Sequence, residues 1–569
     1  MSSLIQIIRE SVIGDRTMIP TPFGERPLIY ADYTASGRSL RFIEDFISER
    51  VLPYYANTHT ETSFSGAQTT QLREQARQQI RSSVNGTEDD MVIFCGSGAT
   101  AAINKLIDIL NLRLPSDLDK RYQLQQNIPT DQRPLVLIGP YEHHSNELPW
   151  RESIADLICI PLTPRGELDL AALESHLKRE GRRPLIIGSF SAASNVTGIK
   201  TDVDAVSRLL HSYGALAFWD YAAAAPYVGI DMTGTLDESG DSSKDAVFIS
   251  PHKFIGGPGT PGILVVKRHL LKNSVPAVPG GGTVVYVTPD NHRYTDHLER
   301  REEGGTPAII ESIRAGLVFK LQQQVGIDTI ETIESDFAER AIKRFEHHPN
   351  IEVLGCKDTS RLSITSLRIR HADKDLHYGF VVALLNDLFG IQARGGCSCA
   401  GPYGHSLLNM TMSYSRALET QIAKGHTVLR PGWVRVNFNY FIDEDTFEYM
   451  LRAIELVAEH GWRLLPFYQL DTHHNVWRYQ GQPMTLATSI ETLDFASMAH
   501  SDNTGCKTSL AEWLAQAERE LFSAKTTLNS YSLTLSPEAE ALRWFALPQD
   551  AFSELETERT DNYRSLSMG

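Results

Sequence analysis

Phe248-Ile-Ser-Pro-His-Lys-Phe-Ile-Gly-Gly-Pro-Gly259 is an apolar strand that ends in Ser250, His252 and Lys253 and runs straight into glycines. A lysine at a strand end, facing a glycine-lined cavity, is in a setting where an amine can condense with an aldehyde. Taken alone, the same pattern also describes a solvated lysine at an ordinary strand-to-turn transition. The elements on either side of it decide between the two.

From about residue 72 the chain alternates helical and strand patterns. Leu72, Ala76, Ile80 and Val84 mark one face of a helix that ends near Asn85-Gly86. Short apolar runs follow at 91–94, 135–138, 157–160, 185–187, 215–219, 247–249 and 262–266. Helix-length segments separate most of them, such as 202–213, where Val203, Val206, Leu209, Leu210 and Tyr213 keep helical spacing. Seven near-continuous apolar strands with crossover helices predict an α/β fold with a mostly parallel sheet covered on both faces. In such sheets the ligand lies at the carboxyl ends of the strands.

After a long helical stretch around 308–347, a second α/β unit reads as a strand over 361–370, a helix over 375–389, a strand over 433–438 and a helix carrying Phe447, Leu451, Ile454 and Val457. Beyond about Leu465 the pattern weakens into Thr/Ser-rich and acidic segments, with a helix start at Ser536-Pro-Glu-Ala-Glu540. No internal repeat is present.

The length of 569 residues, with 41% hydrophobic and 22% charged residues, suits a globular chain with large cores. A formal net charge of -16 and the lack of a basic run exclude nucleic acid and anionic membrane as expected partners. Six scattered cysteines, at 95, 159, 356, 397, 399 and 506, do not make a disulfide framework. The first ten residues read as a short amphipathic helix without a signal peptide's apolar region, and no run of 18 apolar residues occurs. The expectation is a cytoplasmic protein with no membrane span.

Each strand of the first unit delivers a polar group at the edge expected to hold the ligand. Gly96-Ser-Gly-Ala-Thr100 lies between a strand and a helix start, where backbone amides and the Thr100 hydroxyl suit a phosphate, although a glycine turn before a helix is also ordinary loop chemistry. Asp220 ends the strand over 215–219, where it is either a cap or an acid paired with a protonated ring nitrogen. Glu142-His-His-Ser-Asn146 can place an imidazole over a flat ring, and Ser194-Asn195 can donate to a ring oxygen.

These motifs together resemble the class V aminotransferase-like family of pyridoxal-phosphate enzymes, nearest its cysteine desulfurase and selenocysteine lyase branch, over about residues 25–465. The resemblance implies a fold type I architecture, pyridoxal 5'-phosphate as cofactor, an amino-acid substrate and a homodimer. It implies an N-terminal segment over 1–24 packing with the small domain, a large cofactor-binding domain over 25–330, a small domain over 331–465, and an extension over 466–569 with no family counterpart. Lys253 matches the Schiff-base lysine and His252 its neighbour near the phosphate. Asp220 matches the acid at the pyridine nitrogen, His143 the stacking histidine and Asn195 the ring-oxygen donor. Ala99, Thr100 and Ser250 fall where the family grips phosphate. Thr306, in Glu303-Gly-Gly-Thr-Pro307, falls where the family supplies a threonine from the neighbouring subunit.

Arg394-Gly-Gly-Cys-Ser-Cys-Ala-Gly-Pro402 resembles the desulfurase loop, in which an arginine stands five positions before the persulfide-forming cysteine; this selects Cys399 over Cys397. Arg435 falls where the family binds the substrate carboxylate, for which a guanidinium fork is suited. Three departures are plain: Ala223 replaces the family's glutamine, Cys397-Ser398 replaces its His-His, and the extension is unmatched. From the residues themselves, the two cysteines are either small residues in a tight bend or a nucleophile in a flexible loop activated by Arg394. His405 alone does not complete a metal site, so no metal is expected. The implied activity is release of alanine from cysteine with a persulfide left on Cys399, which a sulfur-acceptor protein can then take. The alternatives are a C–S lyase, a selenocysteine lyase, an aminotransferase or epimerase that does not use Cys399, and a non-catalytic assembly paralogue.

Overall fold

The computed structural model describes residues 3–58, 60–472, 474–484, 488–491, 508–523 and 529–567. The chain divides into two compact units, the first made of Met1–Ile13, Tyr33–Ser335 and Asp358–Leu362, the second of Gly14–Asp32, Asp336–Lys357 and Ser363–Gly569. The leading segment anticipated over 1–24 is thus split between the units at Ile13/Gly14, and the division anticipated at 330/331 falls at Ser335/Asp336.

The first unit is built on a seven-stranded sheet. In chain order its strands are β1 (Asp90–Cys95), β2 (Leu135–Ile138), β3 (Asp156–Cys159), β4 (Ile186–Ser191), β5 (Leu216–Asp220), β6 (Ala246–Ile249) and β7 (Gly262–Lys267). Across the sheet they run β1-β7-β6-β5-β4-β2-β3. Every neighbouring pair is parallel except those made by β7, which runs antiparallel to both β6 and β1. The carboxyl ends of β1 to β6 therefore share one edge.

All seven runs expected to be strands belong to this sheet. β4 extends past its apolar stretch through Gly188-Ser-Phe-Ser191, because the Ser189 hydroxyl donates to Asn146 Oδ1 at 2.7 Å and loses nothing by burial. One face of the sheet packs Ile93, Phe218, Phe248 and Leu264 against Ala102, Ile103 and Leu106 of the helix Gly98–Ile109. The helical stretch near 308–347 is two helices, Ile309–Val325 and Ile327–Glu346, interrupted at Gly326, whose φ of 91° no helix accommodates.

β1 is an edge strand, and its outward backbone groups are satisfied by side chains in place of an eighth strand. Glu299 accepts from the Val92 amide at 2.9 Å and Glu303 from the Phe94 amide at 2.7 Å. Arg81 donates to the Asp90 carbonyl at 3.0 Å, and Arg77 donates to that of Val92. The arginines come from buried positions on the helix Phe64–Ser83 and pair with the same carboxylates: Arg81 with Glu299 at 2.7 Å, Arg77 with Glu303 at 2.9 Å and Arg73 with Glu303 at 2.6 Å. Burial alone would raise the Glu303 pKa; Arg77 and Arg73 overcome it and hold the group at about 2.

The second unit contains a five-stranded sheet of β8 (Ile351–Val353), β9 (Ile364–His371), β10 (Lys374–Asp375), β11 (Arg394–Gly396) and β12 (Trp433–Asn437). It runs β8-β9-β12-β11, with β10 paired to β9. The helix anticipated over 375–389 starts at Tyr378, because Asp375 is held in β10 and His377 caps the helix by accepting from the Gly379 amide at 3.0 Å. The extension belongs to this unit. Its hairpin Tyr468–Asp471/Val476–Tyr479 and the helices Leu510–Phe522, Pro537–Glu540 and Pro548–Ser567 bury Tyr468, Trp477, Leu521 and Phe545.

Five cysteines, Cys95, Cys159, Cys356, Cys397 and Cys399, are free thiols, and Cys506 lies outside the described residues. Among the described residues no helix is long and apolar enough to cross a membrane.

Glu303→Ala leaves two buried guanidinium groups and an edge amide without their acceptor. A loss of about 3 kcal/mol is expected in denaturant unfolding, as for removal of one partner from a buried ion pair. An unchanged unfolding midpoint would show that β1 does not need this clamp.

Candidate active site

Sheet topology brings the polar strand ends of the first unit to one edge. At the end of β1, the helix Gly98–Ile109 begins without a cap from the Ser97 side chain, and Gly98 sits at φ 57°. A Cβ at Gly98 would lie 2.9 Å from both Ser250 Oγ and His252 Cε1, so the absent side chain makes room for those two groups. The Ala99 amide donates to Ser250 Oγ at 2.9 Å. Helix-start amides, the Thr100 and Ser250 hydroxyls and a glycine at the turn are a donor set that fits a phosphate.

Thr100 Oγ1 lies 2.6 Å from Ser145 Oγ, which in turn lies 3.0 Å from His143 Nδ1. His143 caps the helix His144–Arg151, its Nδ1 accepting from the Ser145 amide at 3.1 Å. That bond assigns the neutral tautomer with the proton on Nε2.

Asp220 is buried at the end of β5, where its Oδ1 accepts from the Ala222 amide at 2.8 Å. Burial raises its pKa, opposed by that amide and by the charge of Lys253. Lys253 lies in the one-turn helix Pro251–Lys253 just past β6, which stops at Ile249 before a proline that has no amide to offer the ladder. Its loop is held from outside, the Gly37 amide donating to the His252 carbonyl and the Gly256 amide to the Arg38 carbonyl, both at 2.7 Å. Burial, and then the neighbouring Lys253, lower the His252 pKa to about 4, leaving a neutral imidazole above pH 5. Asn195 is buried in the turn after β4. Thr306 is exposed.

Sequence reasoning passed over Glu142. It is buried at 1% exposure, and its carboxylate accepts from Ser191 Oγ at 2.6 Å, Asn146 Nδ2 at 2.7 Å, the Ser191 amide at 3.1 Å and the Gly139 amide at 3.3 Å. Four converging donors favour the anion, while burial raises the group to about 7, Asp220 adding to the rise. The carboxylate ties the ends of β2 and β4 together beside His143. An acidic residue in the short turn between an apolar strand and the next helix was the available signal.

The second unit carries the other named residues. On adjacent antiparallel strands, Arg394 of β11 stands directly opposite Arg435 of β12. Like charges in that position repel. Asp32, also passed over in the sequence, resolves the conflict by accepting from Arg394 Nε at 2.7 Å and Arg435 Nη2 at 3.0 Å. Arg435 is buried and Arg394 half exposed. Beyond β11 the chain makes a tight turn, the Ala400 amide donating to the Cys397 carbonyl at 3.2 Å. Its central residues Ser398 and Cys399 both adopt left-handed φ, 54° and 56°, an uncommon state for residues with a Cβ. Both thiols are exposed. The anticipated flexible loop is thus a defined, strained turn, and Arg394 engages Asp32. Among the described residues no group of three or more His, Cys, Asp or Glu is placed to hold a metal ion.

A family model described as aminotransferase class-V matches residues 29–439. A probable cysteine desulfurase of Streptomyces coelicolor is 27% identical over 379 residues, 66% of this chain and 84% of that protein. A probable cysteine desulfurase of Halalkalibacterium halodurans is 26% identical over 380 residues, 66% of this chain and 85% of that protein. The solved cysteine desulfurase of Thermococcus onnurineus aligns with a TM-score of 0.61 at 21% identity, covering 76% of this chain and 95% of that one. That of Escherichia coli aligns at 0.58 and 21%, covering 76% and 94%. At that identity the structural likeness speaks for the fold.

Gly98→Ala places a methyl group against Ser250 and His252 on a left-handed residue. Affinity for pyridoxal phosphate, followed by absorbance titration, is expected to fall about tenfold, the equivalent of the roughly 1–2 kcal/mol cost of that backbone state with a Cβ. Unchanged affinity would place phosphate binding elsewhere.

Proposed function

Because the chain belongs to the aminotransferase class-V family and is a pyridoxal-phosphate-dependent enzyme of fold type I, we propose that it is a cysteine desulfurase that transfers sulfur from cysteine to Cys399. The carrying observation is the turn Cys397–Ala400, a strained, exposed presentation of a thiol directly beyond the strand of Arg394. The desulfurase relatives support the same reading.

Bound pyridoxal phosphate supplies an electron-accepting ring that stabilises negative charge at the substrate Cα. The chain's own residues do the rest. The amides at Gly98 and Ala99, with Thr100, Ser250 and the neutral His252, hold the phosphate. Asp220, whose carboxylate is steadied by the Ala222 amide and by Lys253, holds a proton at the ring nitrogen. His143, fixed as the Nε2–H tautomer by the Ser145 amide, would stack on the ring. Asn195 would donate to the ring oxygen, for which Ala223 offers no second donor.

Lys253 Nζ would anchor the cofactor and, as a free amine, would move the Cα proton of the substrate. Arg435 binds the substrate carboxylate, a role that requires it to share or exchange Asp32. The thiolate of Cys399 forms a bond to the substrate sulfur as the sulfur–carbon bond breaks. The sum is enzyme thiol plus cysteine giving enzyme persulfide plus alanine. A homodimer that supplies Thr306 from the partner subunit and a protein that accepts the sulfur complete the proposal.

Lys253→Ala is expected to abolish the visible absorption band of the reconstituted protein. Cys399→Ser is expected to keep that band and lose at least 100-fold in alanine release from cysteine, with Cys397→Ser milder. A wild-type protein that cannot be reconstituted with pyridoxal phosphate would remove the enzymatic assignment. Undiminished consumption of cysteine by Cys399→Ser, with pyruvate or a keto acid in place of alanine, would move it to a lyase or aminotransferase.

A further inference from the structure

The extension beyond residue 465 lies outside the matched family segment of 29–439, yet its aromatic residues are built into the support of the cysteine turn. Trp477 Nε1 donates to His377 Nδ1 at 3.1 Å, and Trp544 Nε1 donates to the Leu429 carbonyl at 3.1 Å. Trp544 stacks on His377 at 5.3 Å and 22°, and on Tyr378 at 6.1 Å and 14°. The Asp375 amide donates to the Trp544 carbonyl at 3.2 Å, and the Ala546 amide returns a bond to Asp375 at 2.9 Å. His377 Nε2 faces the Val428 carbonyl at 3.1 Å while Nδ1 also accepts from the Gly379 amide. Burial lowers this imidazole to about 3, so it stays neutral and keeps its acceptor nitrogen for Trp477.

Tyr378 carries these contacts to the strand before the turn. Its ring lies where side chains of β11 and its neighbour would otherwise be: a Cβ on Gly395 would fall 2.8 Å from Tyr378 Cδ2, and one on Gly432 would fall 2.8 Å from Tyr378 Cε1 and 2.8 Å from Gly396 Cα. A cavity of about 590 Å³ is lined by Tyr378, Gly395 and Arg430 on one side and by Asn475, Trp477 and Met484 of the extension on the other.

We propose that the extension is a positioning element for the cysteine turn, in which Trp544 directly, and Trp477 through His377, fix the Tyr378 ring against Gly395 and Gly432 and thereby hold β11 and the turn Cys397–Ala400. This deepens the desulfurase reading by naming what maintains two consecutive left-handed residues, a state that relaxes unless its surroundings over-determine it. Trp544 and Tyr378 are positioning residues.

The test is hydrogen–deuterium exchange on the full-length protein loaded with pyridoxal phosphate, read on peptides spanning 393–401 and, as a control, 246–260. Trp544→Ala is expected to speed exchange in 393–401 at least fivefold and leave 246–260 as in wild type, with Trp544→Phe returning to near wild-type rates. In the same variant, kcat for alanine release is expected to fall about tenfold with KM little changed. Trp477→Phe, which removes the hydrogen bond to His377 Nδ1, is expected to move 393–401 in the same direction by a smaller factor and serves if Trp544→Ala does not fold. Wild-type exchange at 393–401 in both variants would overturn the proposal, as would a uniform increase across the chain. Exchange does not depend on turnover, so a protein without desulfurase activity that still shows the local effect would refute the reaction and leave the positioning role intact.

Discussion

A sheet buried on both faces has only its strand ends and its edges on which to place polar groups, and the first unit follows from that constraint. The interiors of the strands are apolar and enclosed, so the chemistry-bearing residues collect where β1 to β6 terminate. The free edge of β1 meets the same constraint in another way. Two carboxylates and two guanidinium groups answer its outward amides and carbonyls one by one, and because those groups also pair with one another the buried charge is neutralised where it is needed.

The second unit has a different problem. Arg435 and Arg394 lie opposite each other on neighbouring strands, which is unfavourable until an anion is placed between them. Asp32 does so from a segment more than 360 positions away in the chain. Its carboxylate accepts from both arginines at once. Beyond these strands, strain at Ser398 and Cys399 makes the thiol's presentation depend on what stands behind β11, and in this chain that includes aromatic residues of the extension.

Much of this was legible from residue order. Alternating apolar runs and helix-length spacers reveal the seven strands, and parallel topology then puts Gly96–Thr100, His143, Asn195, Asp220 and Lys253 at one edge, since each lies at a strand's carboxyl end or in the turn after it. Less legible were residues whose meaning depends on a distant partner. Arg73, Arg77 and Arg81 sit on a face beside the apolar stripe of Leu72, Ala76 and Ile80 and resemble a solvated row; their burial follows from Glu299 and Glu303. Glu142 resembles a turn residue until Ser191 and Asn146 surround it, and Ser189 resembles the end of a strand until Asn146 satisfies it.

Sequence alone determined the α/β class, the strand count and the roster of polar strand ends, because hydrophobic periodicity and the residue following each strand are local properties. Only the tertiary structure decided the pairing of Asp32 with two opposed arginines, the side-chain closure of the β1 edge, the start of the helix at Tyr378 and the packing of the extension behind the cysteine strand. Each of these depends on groups far apart in the chain meeting at hydrogen-bonding or van der Waals distance, and spacing along the chain carries no record of such meetings.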